Sequence, residues 1–290
     1  MNKILIIFPS WEERSVLGFT RYIEKNLDIS KIYLLKFEQP AHRQKIEEHI
    51  RTMNELCEGK KINYEHISIP NSEVEKWRTL DSFVKNINLD TNAEVHIDIT
   101  TMPRSIIWML MFFLKQKYKK VTAIYHKPVN YCKEWLSKEP GTPQLLFKHS
   151  GIIEFEKETT LFILAGYDED RVIQLINYYE PQKVVIRECN SRQNSSSSKH
   201  RYDLANHTIY EIDQYNDTWG YEAIEKEIKN ILRKSNLIVA SLGPKTGAIS
   251  VYQCFMKYPQ IALSYVPCKE FNEHYSKGLG VTLTKEISLF

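Results

Sequence analysis

The stretch "HIDITTMPRS" (residues 96–105) decides how the chain is read. Alternating apolar residues stop at two threonines, a proline and an arginine, and the apolar run "IIWMLMFFL" (106–114) begins at once. A short strand that passes through such a turn into a buried-type helix is the junction of an α/β sheet. Pro103 suits the first turn of a helix, where its missing N–H costs nothing. Thr100 or Thr101 is placed to cap that helix or to hydrogen-bond a ligand. Arg104 adds a forked cation suited to phosphate or carboxylate. Ordinary helix capping with a solvated arginine is the competing reading.

Outward from this junction, strands and helices alternate. "KILIIF" (3–8), "KIYLLKF" (31–37), "INYEHISI" (62–69), "AEVHIDI" (93–99) and "KVTAIYH" (120–126) read as strands. Helical spacing is predicted over 16–27, 41–59, 71–87 and 103–118. Alternation of this kind implies a parallel sheet with right-handed crossovers. A second pass begins near residue 159. "TTLFILAG", "KVVIREC", "TIYEID", "NLIVASLG" and "IALSYV" read as strands, with helices between most of them. The serine-rich stretch 190–200 reads as a mobile surface loop.

The two passes match in outline. Each opens with strand, acidic turn, arginine and helix: "KILIIFPSWEERSVLGF" against "TLFILAGYDEDRVIQLI". Each closes with strand, Pro-basic turn, helix and strand, "ITTMPRS" matching "SLGPKTGA". The expectation is an α/β protein of two Rossmann-like parallel-sheet halves, 1–150 and 151–290, related by internal duplication.

The composition is that of an ordinary globular protein: 290 residues, 42% hydrophobic, 26% charged, net charge +3. A pI of about 8.4 is too mild to argue for direct DNA or RNA binding. The five cysteines are scattered without a C-x-x-C pair, as reduced intracellular thiols are. The apolar run Ile106–Leu114 is far short of the roughly 20 residues that span a bilayer. The N-terminus reads as a first strand and not a signal peptide. The expected setting is therefore cytoplasmic, with no membrane partner.

In an open parallel sheet, ligands bind beyond the C-terminal ends of the strands, where helix N-termini attract anions. Three sets of residues belong there. The Pro-basic turns supply Thr100, Thr101 and Arg104 in the first half and Gly243, Lys245 and Thr246 in the second. The turns after the first strands supply Ser10, Trp11, Glu12 and Arg14, matched by Tyr167, Asp168 and Arg171. Trp11 and Tyr167 could stack on a flat ring, and the acids equally suit a helix start for its dipole alone. The aromatic tails add Tyr131 and the segment with Asn272, Tyr275 and Ser276, a glycine-loosened stretch that could serve as a lid or be a plain surface loop. For an enzyme, Glu13 and Asp98 are the catalytic candidates, as water-activating carboxylates; Asp98 could instead cap its own turn. No metal-ligand spacing, Walker A, G-x-G-x-x-G, H-E-x-x-H or G-x-S-x-G motif occurs, so no metal is expected and the cofactor stays unknown.

With "HIDITTMPR" and "IIFPSWEERS" in view, the chain resembles the CRISPR-associated Rossmann-fold (CARF) sensors and their fused-pair relatives, the SAVED domains. The resemblance implies paired Rossmann-like domains that bind a nucleotide second messenger across a pseudo-twofold axis. Contacts would come from the loop after the first strand and from the turn Asp98 to Arg104, matched by Ser241 to Thr246. The family turn often carries a glycine pair and a lysine, where this chain has Thr101-Met102-Pro103-Arg104. No recognisable effector domain follows, so a sensor would signal through a partner protein or degrade its own ligand. Three functions stay open: a nucleotide-binding sensor for antiviral defence with its ligand in a composite cleft between the halves; an enzyme cleaving a nucleotide or phosphosugar; and a structural subunit of a larger complex.

Overall fold

The computed structural model of the protein describes residues 3–87, 93–132, 135–189 and 207–289. The stretch 190–200, expected as a surface loop, lies outside the described residues. In chain order the elements are β1 (Lys3–Ile7), α1 (Glu13–Lys25), β2 (Ile29–Phe37), α2 (Arg43–Gly59), β3 (Asn63–Ile69), α3 (Glu73–Asn86), β4 (Glu94–Asp98), α4 (Arg104–Leu114), β5 (Lys120–His126), β6 (Asn130–Tyr131), β7 (Ser137–Pro140) and β8 (Gln144–Ser150). There follow β9 (Glu158–Ala165), α5 (Glu169–Tyr179), β10 (Lys183–Cys189), β11 (His207–Ile212), α6 (Tyr221–Leu232), β12 (Ser235–Ser241), α7 (Lys245–Lys257), β13 (Ala262–Tyr265), β14 (Cys268–Phe271), β15 (Ser276–Lys277) and β16 (Thr282–Ser288). They form two compact units, Met1–Cys132 with Glu273–Phe290, and Lys133–Asn272.

The first unit holds a six-stranded sheet in the order β16-β5-β4-β1-β2-β3. Its five inner and far strands are parallel, and β16 runs antiparallel to β5. The second unit holds the order β11-β10-β9-β12-β13-β8, parallel except for β8. With β9–β13 set against β1–β5, the two orders are the same. Each unit is a Rossmann-like α/β half.

The patterning explains these sheets. In β1, Ile4 and Ile6 on one face and Leu5 and Ile7 on the other are all buried, so the strand has no solvent side. Leu5 and Ile7 share a core with Phe19 and Ile23 of α1 and Met53 and Cys57 of α2. The second core joins Leu161 and Ile163 of β9 to Val172 and Leu175 of α5 and Ile186 of β10. Helix α4 is apolar all round because it is buried all round: Ile106 through Met111 are each 1% exposed or less. Each such side chain contributes about 1.5–3 kcal/mol by leaving water. Among the described residues, no helix is long and apolar enough to cross a membrane.

The edge strands follow a crossed connection. The sequence gives no strong strand pattern after residue 126 or after residue 266, yet a sixth strand follows in each case. The one after β5 is β8, and it lies on β13 of the second sheet. The one after β13 is β16, and it lies along all of β5, from Thr282 opposite His126 to Ser288 opposite Lys120. Residues 144–150 therefore belong to the second sheet and 282–288 to the first. Ile287 on β16 is fully buried, whereas Thr284 faces solvent. Ile287→Ala should destabilise the protein by about 3 kcal/mol in urea unfolding, and Thr284→Ala by less than about 0.5 kcal/mol.

Candidate functional site

The β4–α4 turn is held by its own residues. The Asp98 carboxylate accepts the Thr100 N–H at 2.8 Å. Thr100 Oγ1 accepts the His126 N–H from β5 at 3.0 Å. Thr101 Oγ1 donates to the Phe8 carbonyl just past β1 at 2.6 Å. The strand stops at Asp98 because its carboxylate closes the turn and the two threonine hydroxyls fasten it to the neighbouring strand ends. The N-cap residue of α4 is Pro103, which makes no side-chain capping bond. Pro103 sits one residue earlier than expected, at the N-cap, where φ −59° and ψ 144° suit its ring. Arg104 is the first helical residue and is half-buried.

Asp98 and His126 form a buried pair, Oδ2 to Nε2 3.6 Å, with side chains 3% and 1% exposed. His126 Nδ1 lies 2.8 Å from Thr282 Oγ1 on β16. Burial pulls the His126 pKa below its ordinary 6.5, and Asp98 only partly opposes this. Glu13, the other catalytic candidate, is exposed and accepts the Gly278 N–H.

The turn after β1 is folded around a buried arginine. Arg14 is 1% exposed and Glu12 5%. Arg14 Nε donates to Glu12 Oε2 at 3.1 Å, and Nη2 bonds the same oxygen. Nη1 donates to the His126 carbonyl at 2.8 Å and Nη2 to the Tyr275 hydroxyl at 3.0 Å. Ser276 Oγ completes the set by donating to Glu12 Oε2 at 2.8 Å. Burial works against the Arg14 charge, but Glu12 and the surrounding tyrosines hold its pKa well above the ordinary value. Tyr131 stacks on Tyr275, with ring centroids 6.1 Å apart. The segment 272–280 is thus anchored through Tyr275 and Ser276. Ser10 is buried and accepts the Glu12 N–H through its hydroxyl. Trp11 lies 4.9 Å from the His42 ring, which pairs with Glu273.

The second unit repeats the theme with different partners. Asp168 and Arg171 are 6% and 8% exposed. Asp168 Oδ1 accepts the Ser137 N–H at 3.2 Å, and Oδ2 lies 3.5 Å from Arg171 Nε. Arg171 Nε donates to Cys268 Sγ at 2.7 Å. Tyr167 is half-buried beside them. Asn272 donates to the Trp135 carbonyl at 2.9 Å.

The β12–α7 turn differs from its counterpart. The Leu242 and Gly243 N–H groups both donate to the Leu164 carbonyl, at 2.7 and 2.9 Å. A Cβ on Gly243 would lie 2.8 Å from the Ala165 carbonyl oxygen, so only glycine lets the turns after β9 and β12 approach this closely. Pro244 is the N-cap and Lys245, half-buried, opens α7. Ser241 Oγ, Thr246 Oγ1 and both amide atoms of Gln214 are buried without a hydrogen-bond partner among the described residues. Each such group costs about 1–3 kcal/mol when left unsatisfied. Gln214 was not among the residues singled out from the sequence; its only signal is its place two residues after β11, at the C-terminal edge of the sheet. No group of three His, Cys, Asp or Glu among the described residues could hold a metal ion.

The fold has a counterpart in CRISPR defence. A type III CRISPR defence DNA nuclease activated by cyclic oligoadenylate matches 87% of this chain with a TM-score of 0.57 and 8% identity. This chain covers 64% of that nuclease's length. The cytoplasmic domain of a prokaryotic cation chloride cotransporter matches 96% of this chain and 98% of its own, at 5% identity and a TM-score of 0.32. No family model matches the chain, and no curated protein matches it in sequence.

His126 generates a pH prediction. The unfolded chain takes up a proton near pH 6.5, whereas the buried ring resists it until lower pH. The contribution is therefore present above about pH 6.5 and lost as the pH falls below it. His66 and His96, also lowered by burial, act in the same direction. The urea midpoint should drop between about pH 6.5 and 5, and His126→Gln should flatten that slope.

Proposed function

We propose that the protein is a sensor for a nucleotide-type second messenger, acting in an antiviral defence system through a partner protein. The observation that carries this reading is the pair of Pro-basic turns, each at the C-terminal end of a parallel strand in sheets of the same order. The matched orders also support descent of the two halves from one duplicated unit. Helix starts of this kind attract phosphate through backbone N–H groups and the helix dipole. Arg104 and Lys245 add cations to them, and Trp11 and Tyr167 offer flat surfaces for bases. The likeness of fold to a nuclease activated by cyclic oligoadenylate directs the choice of ligand to test.

Arg14 and Arg171 are assigned a different part. Each is committed to a buried carboxylate, and so holds the turn after the first strand in shape.

Calorimetry of the full chain against cyclic and linear oligoadenylates tests the reading. At least one cyclic species should bind with a Kd of about 1 μM or tighter, and Lys245→Glu should weaken it about tenfold or more. Failure of every nucleotide to bind would overturn the proposal.

A further inference from the structure

We infer that the start of α7 is a grip for a ribose phosphate, built from Ser241, Gln214 and Thr246, and that the threonines at the matched start of α4 serve the fold instead. The inference rests on the reading of the protein as a binder of phosphorylated ligands, and says which side chains make the direct contacts.

Three observations carry it. First, the donors are in place and uncommitted. Ser241 is 2% exposed, Thr246 and Gln214 0%, and the Ser241 hydroxyl, Thr246 hydroxyl and Gln214 amide have no hydrogen-bond partner among the described residues. A buried amide normally finds a partner for both its N–H and its carbonyl. Second, the backbone is cut away to admit the amide. A Cβ on Gly243 would stand 3.3 Å from both Gln214 Nε2 and Oε1, and one on Gly247 would collide with Oε1. Gly247 lies in the first turn of a 13-residue helix, where glycine is a poor choice on propensity alone. The glycine pair lets the Gln214 side chain lie across the start of α7. Third, the turn itself is basic, with Asp213 beside Gln214 occupied by the Tyr215 N–H. Lys245 begins the helix, and no acidic residue occurs from Val239 to Tyr252.

The first unit uses the same position differently. Thr101 donates its hydroxyl to the Phe8 carbonyl, and the Thr100 oxygen accepts from His126. Asp98 places a buried carboxylate at the turn itself, and this takes up the Thr100 N–H. The two turns match in sequence outline but not in what their side chains offer.

The donor set selects the ligand chemistry. Two hydroxyls, an amide N–H₂ and a helix N-terminus suit the several oxygens of a phosphate ester. Gln214 Oε1 can only accept, so it calls for a hydroxyl beside that phosphate. A ribonucleotide carries one at the 2′ position and a deoxyribonucleotide does not.

The test is calorimetry on the full chain with a cyclic oligoadenylate, its 2′-deoxy counterpart and pyrophosphate, alongside thermal melting. Gln214→Met keeps the volume and removes both polar atoms; Thr246→Val removes only a hydroxyl. Each should weaken the cyclic oligoadenylate about tenfold or more, and Gln214→Met should also abolish the preference for ribose over deoxyribose. Gln214→Met should raise the melting midpoint of the ligand-free protein, a gain that a purely structural glutamine would not give. Thr101→Val should lower the midpoint and leave affinity within about twofold. If the cyclic oligoadenylate binds and both second-turn variants bind it like the parent, the grip is refuted while the sensor reading stands. If only pyrophosphate binds, and Gln214→Met abolishes it, the grip stands as a phosphate site and the nucleotide reading falls. If no probe binds, both fall.

Discussion

The hydrogen bonds at the C-terminal ends of the parallel strands determine what each unit can do. A parallel sheet leaves carbonyls, amides and helix starts together at that end, and each must find a partner. In the first unit the chain supplies the partners itself, through Asp98, Thr100 and Thr101 reaching to α4's own turn, β5 and the residue after β1. In the second unit the corresponding side chains Ser241 and Thr246, with Gln214, are left without partners among the described residues. The same fold thus yields one junction whose hydroxyls are taken up by neighbouring strands and one whose hydroxyls are not. The difference lies in a few side chains, since strand order and the N-cap proline are shared.

Both units tie the turn after the first strand to a short antiparallel strand, late in the first unit and ahead of β9 in the second, by a related device. An acid and an arginine are buried together, Glu12 with Arg14 and Asp168 with Arg171, and a serine from a short antiparallel strand bonds the acid. Ser276 does so from β15 and Ser137 from β7. A buried ion pair is weak evidence of stabilisation, because desolvation offsets most of its attraction. Its geometric effect is firmer: removing either partner would strand a charge, so the turn is confined to one shape. Strand β16 works alongside it, since it closes the β5 edge and carries Thr282 to His126.

The continuous apolar runs of β1 and β9 and the all-round apolar α4 made the two parallel sheets readable before any coordinates, because burial on all sides leaves a strong pattern. Strands β8 and β16 were not readable. Both are edge strands with polar residues interspersed, and each pairs with a strand that its own position in the sequence does not point to. The arginines show a second limit. Arg14 and Arg171 stand where a ligand-binding cation would; the acids beside them are visible in the sequence, but their burial against the arginines is not. Gln214 shows a third. One amide in a polar loop has no periodicity to betray it, and its position against Gly243 and Gly247 exists only in the folded chain.

The most direct measurement is an NMR titration of the isotopically labelled full chain with a cyclic oligoadenylate, following backbone amides and side-chain carboxamides. The account predicts that the largest shifts fall on the Gln214 carboxamide and the Thr246 and Gly247 amides, with the Thr100 and Thr101 amides nearly unmoved. Shifts centred on residues 100–105, with Gln214 unchanged at saturation, would contradict it.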